Sequence, residues 1–311
     1  RVEQTDGIVT LTLNKPDKLN AMGPEMVGEM LKAFDALPAM GARALIITGE
    51  GRGFSSGAEL GGRTFDGGNP GDASRRSLQT SFNPLMLSLA GLDIPVVTAI
   101  NGAAAGIGCT LALSGDLIVA GKSAYFLQAF VNIGLVPDGG ATWVLPKAAG
   151  IPAAMEAMLL GERIPAERAY ELGMINRCVE DAAVMDEARA LATRLANGPT
   201  VAMGQIRRLV RNAQSQSLSD AMNAEAEAQR VFCTRADDAR EASAWTPAVG
   251  RHDGVTVAVL ANREPRRSAA VRDEVMTALR DGRLTVRDAH QRTAGVVLVG
   301  GGPGDPELAT V

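Results

Sequence analysis

The sequence predicts an α/β fold: a sheet-rich core, then a helical lobe, then a separate, partial α/β segment. Three observations carry this. Short apolar runs bounded by glycine and proline alternate with helix-spaced segments from residue 8 to residue 120. Residues 142–234 keep helical spacing almost throughout. That spacing dissolves over residues 237–251 and a new strand-like run begins at Val255. A domain boundary therefore belongs near residue 240, dividing the chain into 1–240 and 241–311.

Taken in order, Ile8–Leu13 has strand character. Pro24 in a first-turn position opens a helix over 25–37, where Met26, Met30, Leu31 and Phe34 recur with the spacing of one helix face. Residues 44–48 form an apolar run closed by Gly49 and Gly51 and read as a buried strand. Residues 61–77 are rich in Gly, Asn, Asp, Ser and Arg without an apolar period, the pattern of a mobile loop placed to act as a lid. Residues 95–100 repeat the buried-strand pattern, 104–113 read as a helix of small residues, and 117–120 as a further strand. In the helical stretch Ile206, Leu209 and Val210 form an apolar stripe, while Gly161, Gly173 and Gly198-Pro199 mark turns.

Composition narrows the function. Hydrophobic residues make up 46% of the chain and charged ones 21%, the balance of a globular protein. A formal net charge of −4 supplies no basic field, so no nucleic-acid partner is expected. No apolar run nears the roughly 20 residues that span a bilayer, and the N-terminus lacks a signal-peptide pattern; a cytoplasmic protein without a membrane partner is expected. Cys109, Cys178 and Cys233 are far apart and lack CxxC spacing, so they read as small hydrophobes rather than a disulfide framework or zinc site. The two histidines are His252 and His290. Acid/base chemistry before residue 252 therefore falls to carboxylates, Lys, Tyr, Cys or backbone dipoles. Starting on Arg1 and stopping at Glu307-Leu308-Ala309-Thr310-Val311, as if opening another element, the chain reads as a fragment.

Two glycine-bearing segments are placed to meet a ligand. Gly53-Phe54-Ser55-Ser56-Gly57-Ala58-Glu59-Leu60 follows a buried strand with a turn of small residues that leaves backbone N–H groups free to meet a ligand, though alone it reads first as a structural turn. Ile100-Asn101-Gly102-Ala103-Ala104-Ala105-Gly106-Ile107-Gly108-Cys109 puts glycines at the start of a helix. That is either an anion-binding helix N-terminus or close packing of helix on sheet. Its spacing is not the GxGxxG of a dinucleotide site.

In this order, and with Leu13-Asn14-Lys15-Pro16-Asp17-Lys18-Leu19-Asn20-Ala21 before them, the two segments resemble the crotonase (enoyl-CoA hydratase/isomerase) superfamily over residues 1–240. The resemblance implies a ββα spiral core with a C-terminal helical lobe, and a homotrimer or hexamer. It implies an acyl-CoA substrate whose thioester oxygen is held in an oxyanion hole by the peptide N–H groups of Ala58 and Ile107. One such preorganised donor is worth about 3 kcal/mol to a developing oxyanion. Lys18, Leu19, Ala21, Ser56 and Leu60 would lie along the coenzyme A path, although Lys18 reads equally as a solvated charge. Coenzyme A enters as the thioester part of the substrate, and no metal or redox cofactor is expected.

Hydratases of the family use two glutamates, and the corresponding positions here hold Thr110 and Phe130. A hydroxyl and a phenyl ring cannot activate and deliver water as two carboxylates do, so hydration is not expected. Asp138, in Val136-Pro137-Asp138-Gly139-Gly140-Ala141-Thr142-Trp143, reads by itself as the N-cap of the following helix. The wider string from Phe126 to Asp138 resembles the branch that includes ring-opening epoxyphenylacetyl-CoA isomerases. That resemblance implies Asp138 as the acid/base group of an acyl-CoA isomerase, in phenylacetate or fatty-acid metabolism. Asp116, opening a strand, and Glu59, in a turn, read as structural. The alternative is a protein that binds acyl-CoA without chemistry.

Beyond residue 240 the pattern changes. Ala244-Trp245-Thr246-Pro247-Ala248-Val249, residues 255–260 and Pro265-Arg266-Arg267-Ser268 resemble the middle of bifunctional sirohaem synthases. Residues 296–308, with Gly300-Gly301-Gly302-Pro303-Gly304-Asp305, resemble the first strand and glycine-rich loop of their uroporphyrinogen-III methyltransferase domain, with Pro303 bordering the S-adenosylmethionine site. The same residues also read as a glycine-rich turn after a buried strand. A match over residues 240–311 leaves either tetrapyrrole activity incomplete and implies a fusion, an artificial chimera or a misjoined reading frame, with a role in sirohaem biosynthesis through the tail as a further alternative.

Overall fold

The computed structural model describes residues 1–59, 70–228, 248–253, 255–259, 265–284 and 297–298. Val2–Thr5 (β1) folds back antiparallel on Ile8–Leu13 (β2), an N-terminal strand that the sequence pattern did not announce. Pro24–Ala36 (α1) follows, with Pro24 in its first turn and Met26, Val27, Met30 and Phe34 buried, as the helix spacing predicts. Ala44–Gly49 (β3) is buried at every residue, the signature of a parallel strand covered on both faces. Gly53–Ser55 (β4) comes after a turn.

The chain then repeats one motif. Pro70–Ser77 (α2) continues through a π-helical turn at Leu78–Phe82 into Asn83–Ala90 (α3). Val96–Ile100 (β5), Ala103–Ala105 (β6) and Ile107–Ala112 (α4) form the next unit. Leu117–Gly121 (β7), Tyr125–Leu127 (β8) and, after a 3-10 turn at Ala129–Ile133, Ala141–Ala149 (α5) form another. Each unit places its first strand in one sheet and its second in another, then returns by helix. The result is a ββα spiral.

The remaining elements are Ile151–Leu160 (α6), Arg163–Pro165 (β9), Ala166–Glu171 (α7), Arg177–Val179 (β10), Val184–Ala196 (α8), Thr200–Ala213 (α9) and Leu218–Ala228 (α10). The larger sheet has the order β1-β2-β3-β5-β7-β10 and is parallel from β2 onward. The smaller has the order β4-β6-β8-β9, parallel except at β9. α8 covers one face of the larger sheet with Ala188, Ala192 and Ala196 against Ile46, Val97 and Val119. The main apolar core, with Leu45, Ile47, Phe54, Leu85 and Phe126, fills the other side.

Three expectations need correction. The helix expected over 104–113 starts later: Ala103–Ala105 joins the smaller sheet and the helix runs over Ile107–Ala112. The stretch expected to be helical contains the strands β9 and β10. Of the expected loop over 61–77, residues 70–77 are the helix α2, and residues 60–69 lie outside the described residues. The apolar stripe of α9 is largely outward-facing, with Ile206 and Val210 exposed, while Gly204 and Arg207 are buried.

The chain divides into two compact units, Arg1–Ala221 and Met222–Val311, the division falling within α10. In the second, Ala248–His252 (β11) and Val255–Val259 (β12) form an antiparallel hairpin extended in parallel by Val297–Leu298 (β13). Pro265–Arg280 (α11) packs on it through Met276 against Val257 and Val259. The glycine-rich loop with Pro303, the segment with Trp245, Cys233 and His290 lie outside the described residues. Among the described residues no helix is long and apolar enough to cross a membrane.

Candidate active site

The parallel pairing of β4 with β6, Gly53 opposite Ala103 and Ser55 opposite Ala104, brings the two glycine-bearing segments side by side. Beyond the strand ends the chain turns at Gly57 and Gly106. A β-carbon on Gly57 would lie 2.8 Å from the Ala105 carbonyl oxygen and 3.6 Å from Gly106 Cα. With φ of +98° at Gly57, and φ +54° and ψ −130° at Gly106, each turn needs glycine both for its backbone and for the close approach.

A backbone N–H follows each turn. Ala58 forms an isolated parallel bridge with Met22, made by the Met22 N–H donating to the Gly57 carbonyl (2.8 Å) and the Glu59 N–H donating to the Met22 carbonyl (3.0 Å). Such a bridge uses the groups on either side of the bridged residue and leaves the Ala58 N–H outside it. Ile107 is the first residue of α4, where no carbonyl of the helix can reach its N–H. Ala58 and Ile107 line one cleft of about 540 Å³. The Asn20 side chain steadies the approach: its amide donates to the carbonyls of Glu50 (2.9 Å) and Gly53 (2.8 Å) and its oxygen accepts from the Lys15 N–H (2.9 Å).

Asp138 is the one carboxylate among the described residues of the cleft. It is half-buried, with Oδ1 shielded from solvent. It is not the N-cap of α5: that position is Gly140, in left-handed conformation and without a side-chain cap bond. Gly139 leans on Ile107, where a β-carbon would lie 2.8 Å from Cγ1, so the Asp138 turn sits against the start of α4. The Asp138 carbonyl accepts from the Ala141 N–H (3.0 Å) and, at 3.5 Å, from the Thr110 hydroxyl. Buried Gln128 in turn donates to Thr110 Oγ1 (3.4 Å).

The walls are apolar. Leu78 and Phe82 come from the π-helical turn, and Phe130, Ile133, Leu135 and Val136 from the segment before Asp138. Sequence reasoning missed Leu78 and Phe82, because a helix 60 residues from Asp138 in sequence (138 − 78) carries no local sign of facing it.

Of the residues expected along the coenzyme A path, Ser56 lines the cleft. Lys18, Leu19 and Ala21 stand beside it: the Ser56 N–H donates to the Leu19 carbonyl (2.8 Å) and its hydroxyl to the Lys18 carbonyl (3.2 Å). Leu60 lies outside the described residues. Lys18 is paired with Glu59, and the bond to this ammonium holds the Glu59 carboxyl below its usual range and raises the lysine. Asp116 is structural as expected, accepting from the Val96 N–H (2.7 Å), Arg207 and Arg211. Burial pushes the Cys109 thiol up to about 12, which removes it as a nucleophile. Among the described residues no three side chains of metal-ligating type cluster.

A ββα spiral with an apolar cleft where two glycine-bearing turns meet is the architecture of the crotonase superfamily. Residues 3–244 match the enoyl-CoA hydratase/isomerase family model, and the chain belongs to that family. It is 41% identical over 242 residues to the 1,2-epoxyphenylacetyl-CoA isomerase of Escherichia coli K12, covering 77% of this chain and 92% of the relative. It is 31% identical over 234 residues to 4-chlorobenzoyl coenzyme A dehalogenase-2 of an Arthrobacter species, covering 75% and 84%. The crystal structure of an enoyl-CoA hydratase from Polaromonas sp. JS666 superposes with a TM-score of 0.69 at 30% identity, covering 74% of this chain and 89% of that one.

Proposed function

We propose that the family domain is an acyl-CoA isomerase in which the Ala58 and Ile107 N–H groups hold the thioester oxygen and Asp138 moves the proton. The carboxylate takes a proton from a carbon of the acyl chain, the electron pair passes to the thioester oxygen as an enolate, and the same acid returns the proton at another carbon. One carboxylate suffices for this sequence. The observation that carries the reading is that Asp138 is the single carboxylate among the described cleft residues and sits against the donor segment. The similarity to a 1,2-epoxyphenylacetyl-CoA isomerase makes an arylacetyl-CoA ester the first substrate to test and favours phenylacetate catabolism over general fatty-acid metabolism. A cytoplasmic setting and a homotrimer or hexamer complete the proposal. Exposed Ile151, Met155 and Leu159 on α6 give such an assembly an apolar face.

Asp138→Ala should lower turnover by at least about a hundredfold, the scale of a lost general acid/base, while coenzyme A ester binding persists. Unchanged isomerisation by this variant would refute the assignment. Saturable ester binding by the wild-type protein, with no solvent deuterium entering the acyl chain, would favour a binding protein without chemistry.

A further inference from the structure

We propose that Phe130 is a specificity-determining residue that keeps water off the bound acyl chain, so that the reaction ends in proton return rather than hydration. This rests on the isomerase reading of the same cleft. Phe130 lines the cleft and is half-buried. A β-carbon on Gly106 would lie 3.6 Å from Phe130 Cζ and 3.8 Å from Cε2, so the ring edge packs against the residue that precedes the Ile107 donor. The phenyl ring thus occupies space next to the point where the thioester oxygen is held.

The neighbouring polar groups strengthen the case. An ordered water needs two to four polar partners. The other polar side chains among the described cleft residues each have a partner: Ser56 donates to the Lys18 carbonyl (3.2 Å), Asn132 to the Gly161 carbonyl (3.2 Å), and Arg75 faces Asp72 at 3.5 Å. Thr110 is 1% exposed and bonded to the Asp138 carbonyl, behind the wall. Among the described residues of the cleft only Asp138 offers a carboxylate that could activate a water molecule, and Phe130 stands at the Gly106 turn beside it.

Hydration of a 2-enoyl-CoA adds the water oxygen to C3, moves the double-bond pair through C2 to the thioester oxygen, passes the water proton to a base, and closes by protonating C2. Asp138 supplies a base, so the block on this course is steric and dielectric. Removing the ring should open it.

The test uses the full chain and two substrates. On trans-2-hexenoyl-CoA, wild-type protein should form 3-hydroxyhexanoyl-CoA slowly, Phe130→Ala and Phe130→Gln at least about tenfold faster, the scale of admitting a water to a general base. Phe130→Leu, which keeps the site apolar, should resemble wild type. Coenzyme A ester binding by each variant verifies the fold. Hydration that is unchanged in both Phe130→Ala and Phe130→Gln, or already as fast in wild type, overturns the proposal. On 3-hexenoyl-CoA, migration of the double bond tests the isomerase reading separately: its absence in wild type would sink that reading, while the hydration rates would still decide the role of Phe130.

Discussion

Gly57 shows how much of the site rests on single residues. Its φ of +98° and the 2.8 Å approach of any β-carbon to the Ala105 carbonyl mean that a methyl group must move one segment away from the other. Gly57→Ala should cost about 1–3 kcal/mol of stability, the range for a non-glycine residue held in a sparsely populated conformation. It should also displace the adjacent Ala58 N–H, lowering kcat by about ten- to a thousandfold as the loss of one oxyanion donor does. Chemical denaturation read beside steady-state kinetics separates the two effects; a variant with wild-type kcat would show that the Ala58 donor is not used. The turn was legible as a glycine between a buried strand and small residues, while its service to a ligand came only from the resemblance, since the segment alone reads as a structural turn. Asp138 was less so. Its string fits an N-cap as well as an acid, and only the placement of the cap at Gly140 separates the two.

At the level of elements, the sequence misled where tertiary contacts outweighed local pattern. Ala103-Ala104-Ala105 has high helix propensity, yet pairs with β4 and β8 because Gly106 takes a conformation no helix contains. In α9 the apolar stripe gives no sign that the helix buries Arg207. That guanidinium donates to the carbonyls of Leu89 and Leu92 and to Asp116, 91 residues away in sequence, a partner no local spacing could indicate. Asp116 also accepts from the Val96 N–H at the start of β5 and from Arg211. Asp116→Ala would leave a buried cation and a strand N–H without their acceptor, at a cost of about 3–5 kcal/mol. For a domain of this size that should lower the melting temperature by about 10 °C. Arg211→Ala, which removes the more exposed partner, should cost much less. Equal losses from the two would show that the cluster does not depend on the burial of Arg207.

For the molecule as a whole, the separate character of the tail was legible in the loss of helical periodicity. The family match ends at residue 244, close to the boundary expected near residue 240, while the compact units divide at Ala221. Every described residue of the cleft lies between Ser56 and Asp138. The two apolar clusters of the first unit draw on residues from Val9 to Ala196, and a third, Val257, Val259 and Met276, belongs to the second unit. A chain ended after residue 244 keeps every side chain of the larger clusters and the whole family match. It should therefore retain acyl-CoA turnover within about twofold and the melting temperature of the main transition, as surface changes away from a core do. The exposed Ile206 and Val210 of α9 and the stripe on α6 remain available to a second copy. Light scattering on both lengths should then give a trimer or hexamer for the short chain, and a smaller assembly for the full one if residues 245–311 obstruct packing. Loss of turnover on truncation, with the short chain still folded, would show instead that the tail contributes to the site.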